Sequence, residues 1–184
     1  MNEKIIGQYD LTPENMPAEG SLEVKIQPID MVTYWKRCSA IADFVARFYN
    51  VNEKNHANEN LISTVFNEII ENAAKYSTKR DSEIQVDVKL YNTILKIQVQ
   101  NTCNKFHCET LENRMRILLS EDTDLNELYI QEMEQKANGT KESGIGLLML
   151  LKDFQISLGL KTIDLGSDLY HVIFQVFYLM QEEE

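Results

Sequence analysis

Residues 60–77, NLISTVFNEIIENAAKYS, constrain this chain more than any other stretch. Leu61, Val65, Ile69 and Ala73 recur at every fourth position, and Ile62, Phe66, Ile70 and Ala74 form a second ladder beside them. That spacing is the 3.6-residue period of a helix with a broad apolar face. At about 100° per residue the two ladders subtend roughly 220°, so this helix is expected to be covered on most sides. Glu68 and Asn72 lie one turn apart at the edge of the stripe, and Lys75 follows three residues later on the same flank. A carboxylate, a carboxamide and an amine beside a core face are, by themselves, as compatible with an ordinary polar border as with a site.

The rest of the chain arranges itself around that helix. Leu22 to Gln27 alternates apolar and polar residues, as a short strand does. Asp30 can cap a helix over 31–49 that carries Met31, Trp35, Ile41, Phe44, Val45 and Phe48. Val51 to Glu59 is polar and reads as a loop containing His56, with Asn58 or Asn60 placed to cap the central helix. Beyond Ser77 the period changes to two: Ile84, Val86, Val88 and Leu90, a tight turn at Tyr91-Asn92-Thr93, then Leu95, Ile97 and Val99. This is a β-hairpin with one solvated or half-covered face, its return strand ending at 99–103. Helical spacing returns over 108–137, through Leu111, Met115, Leu118 and Leu119 and then Leu125, Leu128, Tyr129 and Met133, with a break at Asp122–Asp124. A helix over 145–153 and two strands, Ile156–Ile163 and His171–Met180, complete the chain.

Residues 1–20, with Pro13 and Pro17 and no sustained period, read as a loose arm. Residues 21–181 form a single domain and 182–184 an acidic tail. Helical runs followed by antiparallel strands predict a two-layer α+β sandwich, not a doubly wound parallel sheet.

Composition narrows the function classes. At 184 residues there is room for one domain with a real core. Eighteen Lys+Arg against 29 Asp+Glu give a net charge of −11, which argues against a nucleic-acid surface. No run approaches the ~20 apolar residues of a membrane span, and the first residues do not resemble a signal peptide, so the expected location is cytoplasmic. Cys38, Cys103 and Cys108 are scattered. Cys103-x3-His107-Cys108 falls short of a four-ligand zinc set, so the thiols are expected to be reduced and buried or incidental.

Ser143–Leu151, SGIGLLMLL, supplies the second candidate feature. Gly144 and Gly146 precede an apolar run, where a helix start can offer free N–H groups to phosphate. It is neither a Walker loop nor a strand-borne dinucleotide fingerprint. Together, in this order, NEIIENAAKYS and GIGL resemble the N box and second glycine box of the GHKL superfamily of ATP-binding domains (gyrase, heat-shock chaperone, histidine kinase, MutL), also called the Bergerat fold. With Glu68 four residues before the Asn, the likeness is strongest to anti-sigma-factor serine kinases and similar small stand-alone bacterial proteins. It extends from about Asn60 to the C-terminus.

The resemblance implies a two-layer sandwich: a mixed, mainly antiparallel sheet with helices on one face. It implies ATP and magnesium as cofactors, with Asn72 holding the metal through the nucleotide and Glu68 as general base. It further implies phosphate contacts from Gly144, Gly146 and Lys75, and Asn101 in place of the Asp that fixes the adenine amine. Glu71 reads as a surface residue. The implied activity is that of a serine/threonine kinase and regulator in a partner-switching pathway. Its partner would be a STAS-domain anti-anti-sigma-like protein, with a sigma factor or a response-regulator phosphatase as further candidates and a homodimer left open. The contrasting reading is a catalytically inactive, nucleotide-independent protein-binding module on the same fold. The first glycine box departs from the family pattern: neither of its glycines is present after Asn101, and Cys103 and Asn104 are bulky for a loop. Glu142-Ser143 stands where Gly-Thr usually precedes the second box.

Overall fold

Alternation makes the sheet two-faced. The computed structural model describes residues 2–12, 16–28, 35–50, 56–78, 82–138 and 145–180. Its strands are β1 (Glu3–Gly7), β2 (Gly20–Ile26), β3 (Ile84–Tyr91), β4 (Ile94–Asn104), β5 (Ile156–Gly166) and β6 (Leu169–Leu179). Its helices are α1 (Trp35–Tyr49), α2 (His56–Tyr76), α3 (Lys105–Leu118), α4 (Leu125–Ala137) and α5 (Ile145–Asp153). The six strands form one sheet in the order β1-β5-β6-β4-β3-β2. Every pairing among the described strands is antiparallel, so the architecture is α+β without a parallel component.

The register explains where the core sits. Ile6, Leu160, Phe174, Val99, Val86 and Val24 are successive partners across all the strands, a single apolar row from one edge to the other. Two residues along each strand comes a parallel row of Leu158, Val176, Ile97, Val88 and Leu22. Because side chains alternate with a period of two, both rows share one face. They join a continuous core with the buried residues of α1, α2, α3 and α5. Turn chemistry fixes this register. Asn92 (φ 53°) turns β3 into β4, and Ser167 and Asp168 (φ 54° and 65°) turn β5 into β6. The left-handed conformations of both Ser167 and Asp168 are those of a two-residue hairpin loop.

The opposite face is polar, and the chain's own N-terminal segment crosses part of it. The Gln175 amide donates to Gln98 at 2.7 Å and accepts from the Asp10 backbone N–H at 2.8 Å. Lys96 Nζ reaches Asp10 at 2.9 Å. A Cβ at Gly159 would stand 2.4 Å from the Gln8 carbonyl, so only glycine lets this segment lie against β5. The described residues 2–12, within the stretch expected as a loose arm, are therefore tied to the sheet. Glu3–Gly7 is an edge strand, its partners Ile163 to Gly159 far away in sequence, and a five-residue, mostly exposed segment carries no periodic signal of its own.

Three helices differ in detail from the expectation. In α1 the buried residues are Cys38, Ala42, Val45, Ala46 and Tyr49, while Phe44 and Phe48 are 55% and 47% exposed. The face that packs inward is thus built largely of small residues, and α1 packs on α2; residues 29–34, with Asp30 and Met31, lie outside the described set. The central helix starts at His56, so Asn58 lies within it, buried, and accepts a hydrogen bond from the Tyr178 hydroxyl. Helix α3 starts at Lys105. Asn104 caps it, accepting from the His107 N–H at 2.9 Å, instead of crowding a loop. Among the described residues no helix is long and apolar enough to cross a membrane.

Candidate functional site

The ladders expected on α2 are buried as expected: Leu61, Ile62, Val65, Phe66, Ile69, Ile70, Ala73 and Ala74 are each at most 8% exposed. The flank is therefore fixed in direction. Beside it opens a cavity of about 380 Å³, within the size range of small-molecule sites. Helix α2 contributes Glu68, Ile69, Asn72, Ala73 and Tyr76; β4 contributes Val99, Asn101 and Cys103; α3 contributes His107, Thr110, Leu111 and Arg114. Leu147 of α5 and Val172 and Phe174 of β6 complete the lining.

Glu68 and Asn72 meet as their spacing requires. The Asn72 amide donates to a Glu68 carboxylate oxygen at 2.6 Å, leaving the amide oxygen to accept a donor or bind a hard cation. Gly146, in the first turn of α5, lies against the same carboxylate: a Cβ there would stand 1.9–2.1 Å from Glu68 Cδ and both its oxygens. Any side chain at 146 would push Glu68 from its place beside Asn72. Thus two segments some 75 residues apart in sequence are joined at one carboxylate. Gly144, Ser143 and Glu142 lie outside the described residues.

Asn101 lies at the cavity wall, 7% exposed. Its amide nitrogen donates to the Ala73 carbonyl at 3.3 Å and to the Ser77 hydroxyl at 3.2 Å, which orients the side chain because a carbonyl can only accept. The acceptor oxygen is left as the atom available to a ligand amine. Residues 101–104 do not form a loop. They continue β4 in unbroken register with Val172, His171, Tyr170 and Leu169 of β6, and Cys103 is buried there. Lys75 is exposed and does not line the cavity; its Nζ stands 5.4 Å from the Tyr76 ring centroid.

Several lining residues carry no mark in the motifs. His107 packs edge-on against Tyr76, with ring centroids 5.2 Å apart. Its Nδ1 is buried and has no hydrogen-bond partner among the described residues. Arg114 holds Glu132 of α4 with two parallel bonds, 2.5 and 2.8 Å, and Glu132 is buried. The signal for Arg114 was present. It falls within the Leu111, Met115, Leu118 stripe, where a cation at the border of an apolar face needs a partner.

The surroundings set the charge states behind the cavity. Glu71 is half-buried, not a surface residue; burial first, and the Glu68 charge second, push its carboxyl above the usual range. Burial, with Glu71 nearby, pushes the Cys38 thiol up to about 11. On α3, burial opposes ionisation of Glu112, but Thr162 (2.7 Å), Lys4 (3.0 Å) and Arg116 (3.2 Å) together outweigh it and hold that carboxyl below its usual range. Cys108 Sγ sits 3.7 Å from Glu112, and Cys103, held beside Cys108 in a buried pocket, stays protonated far above neutral pH. All three cysteines are free and buried. No group of three or more His, Cys, Asp or Glu is placed to hold a metal among the described residues.

The arrangement offers a carboxylate beside a carboxamide oxygen at one end, an inward carboxamide oxygen at the wall, a guanidinium on α3, and apolar surface between them. That set can hold a flat apolar group with polar edges and an acidic extension. Compared with models of known protein families the chain matches none, and no curated protein sequence matches it.

Proposed function

We propose that this protein is a regulatory ATP-binding protein of the anti-sigma, serine-kinase type, acting on a STAS-domain partner in a bacterial partner-switching pathway. One observation carries the reading. Glu68, Asn72, Asn101 and Gly146, selected for their likeness to GHKL boxes, come from three separate elements and gather around one cavity or its margin. Nothing local to α2 brings a residue of β4 and one of α5 to the flank that carries Glu68 and Asn72.

In this reading the adenine amine donates to the Asn101 oxygen, and the base lies against Ile69, Ala73, Val99 and Phe174. The Asn72 oxygen is suited to magnesium, which prefers hard oxygen ligands and, when bound, supplies charge neutralisation for the phosphates. Glu68, oriented by Asn72, accepts the proton of a partner serine or threonine hydroxyl. In this reading the base is held by a neutral carboxamide where the family has a carboxylate, and Lys75 stands outside the cavity.

A second reading, a nucleotide-independent protein-binding module on this fold, is favoured by one feature. Where the first glycine box would form a loop, β4 runs on through Cys103 and Asn104 into α3. Calorimetric titration of magnesium-ATP and magnesium-ADP into the wild type and Asn72→Ala separates the two. Binding lost in the variant, followed by labelling of a STAS protein, supports the kinase-type regulator. Absence of binding at millimolar nucleotide overturns it in favour of the module.

A further inference from the structure

Asn101 is oriented by the end of α2. Among the described strands, β4 has left β3 behind at Gln100 and is paired at Asn101 with β6 alone. The Thr78 N–H donates to the Thr102 carbonyl at 3.1 Å and ties the C-terminal end of α2 to β4. Within this junction the Ser77 hydroxyl donates back along the helix to the Ala73 carbonyl at 2.7 Å. With its one proton so used, the Ser77 oxygen can only accept, and the Ala73 carbonyl can only accept as well. Both are met by the same Asn101 nitrogen, at 3.2 and 3.3 Å. An amide turned over would set its oxygen against two acceptors, so the nitrogen stays at α2 and the oxygen is what Asn101 offers the cavity.

We infer that Ser77 and the Ala73 carbonyl together select the cavity's ligand by its edge: Asn101 accepts from an exocyclic amine and turns away a ring carbonyl at the same position. The ligand class is a flat heterocycle with an amino edge, seated on Ile69, Ala73, Val99 and Phe174. Ser77 does not line the cavity; it is a positioning residue that acts through Asn101. A keto edge would meet the Asn101 oxygen lone pair to lone pair. Reversing the amide to greet it would press that oxygen on the Ala73 carbonyl, at a residue only 7% exposed and so without water to compensate. A carboxylate could not replace this carboxamide. It has no proton to give Ala73 or Ser77, and its charge would lie against the negative end of a carbonyl dipole. The neutral side chain is thus required by its support. The inference rests on the proposed function only in taking the heterocycle to be the base of a nucleotide; selection by edge needs just the amine.

Adenosine, inosine, magnesium-ADP and magnesium-IDP are titrated calorimetrically into the wild type, Ser77→Ala, Ser77→Thr and Asn101→Asp, with thermal melts to verify folding. Within each pair of ligands an amine is exchanged for a carbonyl on the same ring carbon. The wild type is expected to bind the amino member of each pair roughly ten- to hundredfold tighter than the keto member. In Ser77→Ala that ratio should fall roughly three- to tenfold, because one of the two constraints on the amide is gone. Ser77→Thr, which keeps the hydroxyl, should keep the ratio. A Ser77 that merely supported the fold would weaken both members alike and leave the ratio where it was. Asn101→Asp should bind adenosine and ADP roughly tenfold more weakly than the wild type. An unchanged ratio in folded Ser77→Ala, or wild-type affinity for adenosine and ADP in folded Asn101→Asp, overturns the inference. If the wild type binds ADP and IDP alike, the nucleotide reading stands and edge selection falls. If adenosine and inosine follow the pattern while neither diphosphate binds, edge selection stands and the nucleotide reading falls. If no probe binds, both fall. Should Asn101→Asp not fold, the ratio in Ser77→Ala decides alone.

Discussion

Helix α2 lines the cavity, and α4 touches Arg114 of that lining, yet the two helices are held by different physics. Helix α2 sinks two adjacent ladders of apolar side chains into the core and packs on α1 on one side and β4 on another. Helix α4 has a capping Asp124, accepting from the Asn126 and Glu127 N–H groups, a few half-buried apolar residues, the Arg114–Glu132 pair and the Tyr129 ring beneath Lys152 of α5. Hydrophobic burial is additive over many contacts and indifferent to what sits in the cavity, so α2 is a fixed wall. Helix α4 buries far less apolar surface, so it is the more easily opened of the two.

The largest test is on the fixed side. Phe66→Ala removes a fully buried ring from α2 and is expected to cost about 3–5 kcal/mol in urea unfolding, with loss of the cooperative transition at modest temperature. Leu128→Ala, on the lightly buried α4, should cost only about 1 kcal/mol, with its effect concentrated in hydrogen exchange of that helix. Equal costs for the two substitutions would break the comparison and make α4 a core helix.

The smallest effects sharpen the same contrast through pH. Glu71, on α2, has its carboxyl raised in the folded state, so its favourable contribution is present below the ordinary carboxylate range and is lost as pH rises through the folded value. Glu71→Gln is therefore expected to melt slightly higher than the wild type at pH 7.5, the difference fading toward pH 3.5. Glu112, on α3, is lowered, so its contribution is present above that range and is lost as pH falls through its folded value. Glu112→Gln should melt lower at pH 7.5, with the gap closing in acid. Melting curves that move in the same direction for both variants would show that the two carboxylates do not differ in environment.

Much of this was readable from residue order. The α2 ladders, the alternation over 84–99 and 156–180, the break near Asp122 and the helix after Gly144 follow from periods of 3.6 and two. Those periods are local properties that survive any arrangement of the elements. The pairing of Glu68 with Asn72 was legible for the same reason, because one helical turn brings them together wherever the helix lies.

What was not readable depended on partners far away in the chain. Glu3–Gly7 becomes a strand only because β5 offers an edge. Phe44 and Phe48 are exposed because α1 turns Ala42, Val45 and Ala46 to the core instead. Asn104 became a helix cap, and Asn101 a fixed acceptor, once β4 ran past α2 so that Ala73 and Ser77 could take the Asn101 amide. Arg114 could be suspected from its place in an apolar stripe, but its partner Glu132 belongs to another helix, and only tertiary packing decides which carboxylate answers a buried cation. Local periodicity determined which elements exist and which way their faces point. The fold determined which polar groups, unable to remain buried alone, found one another.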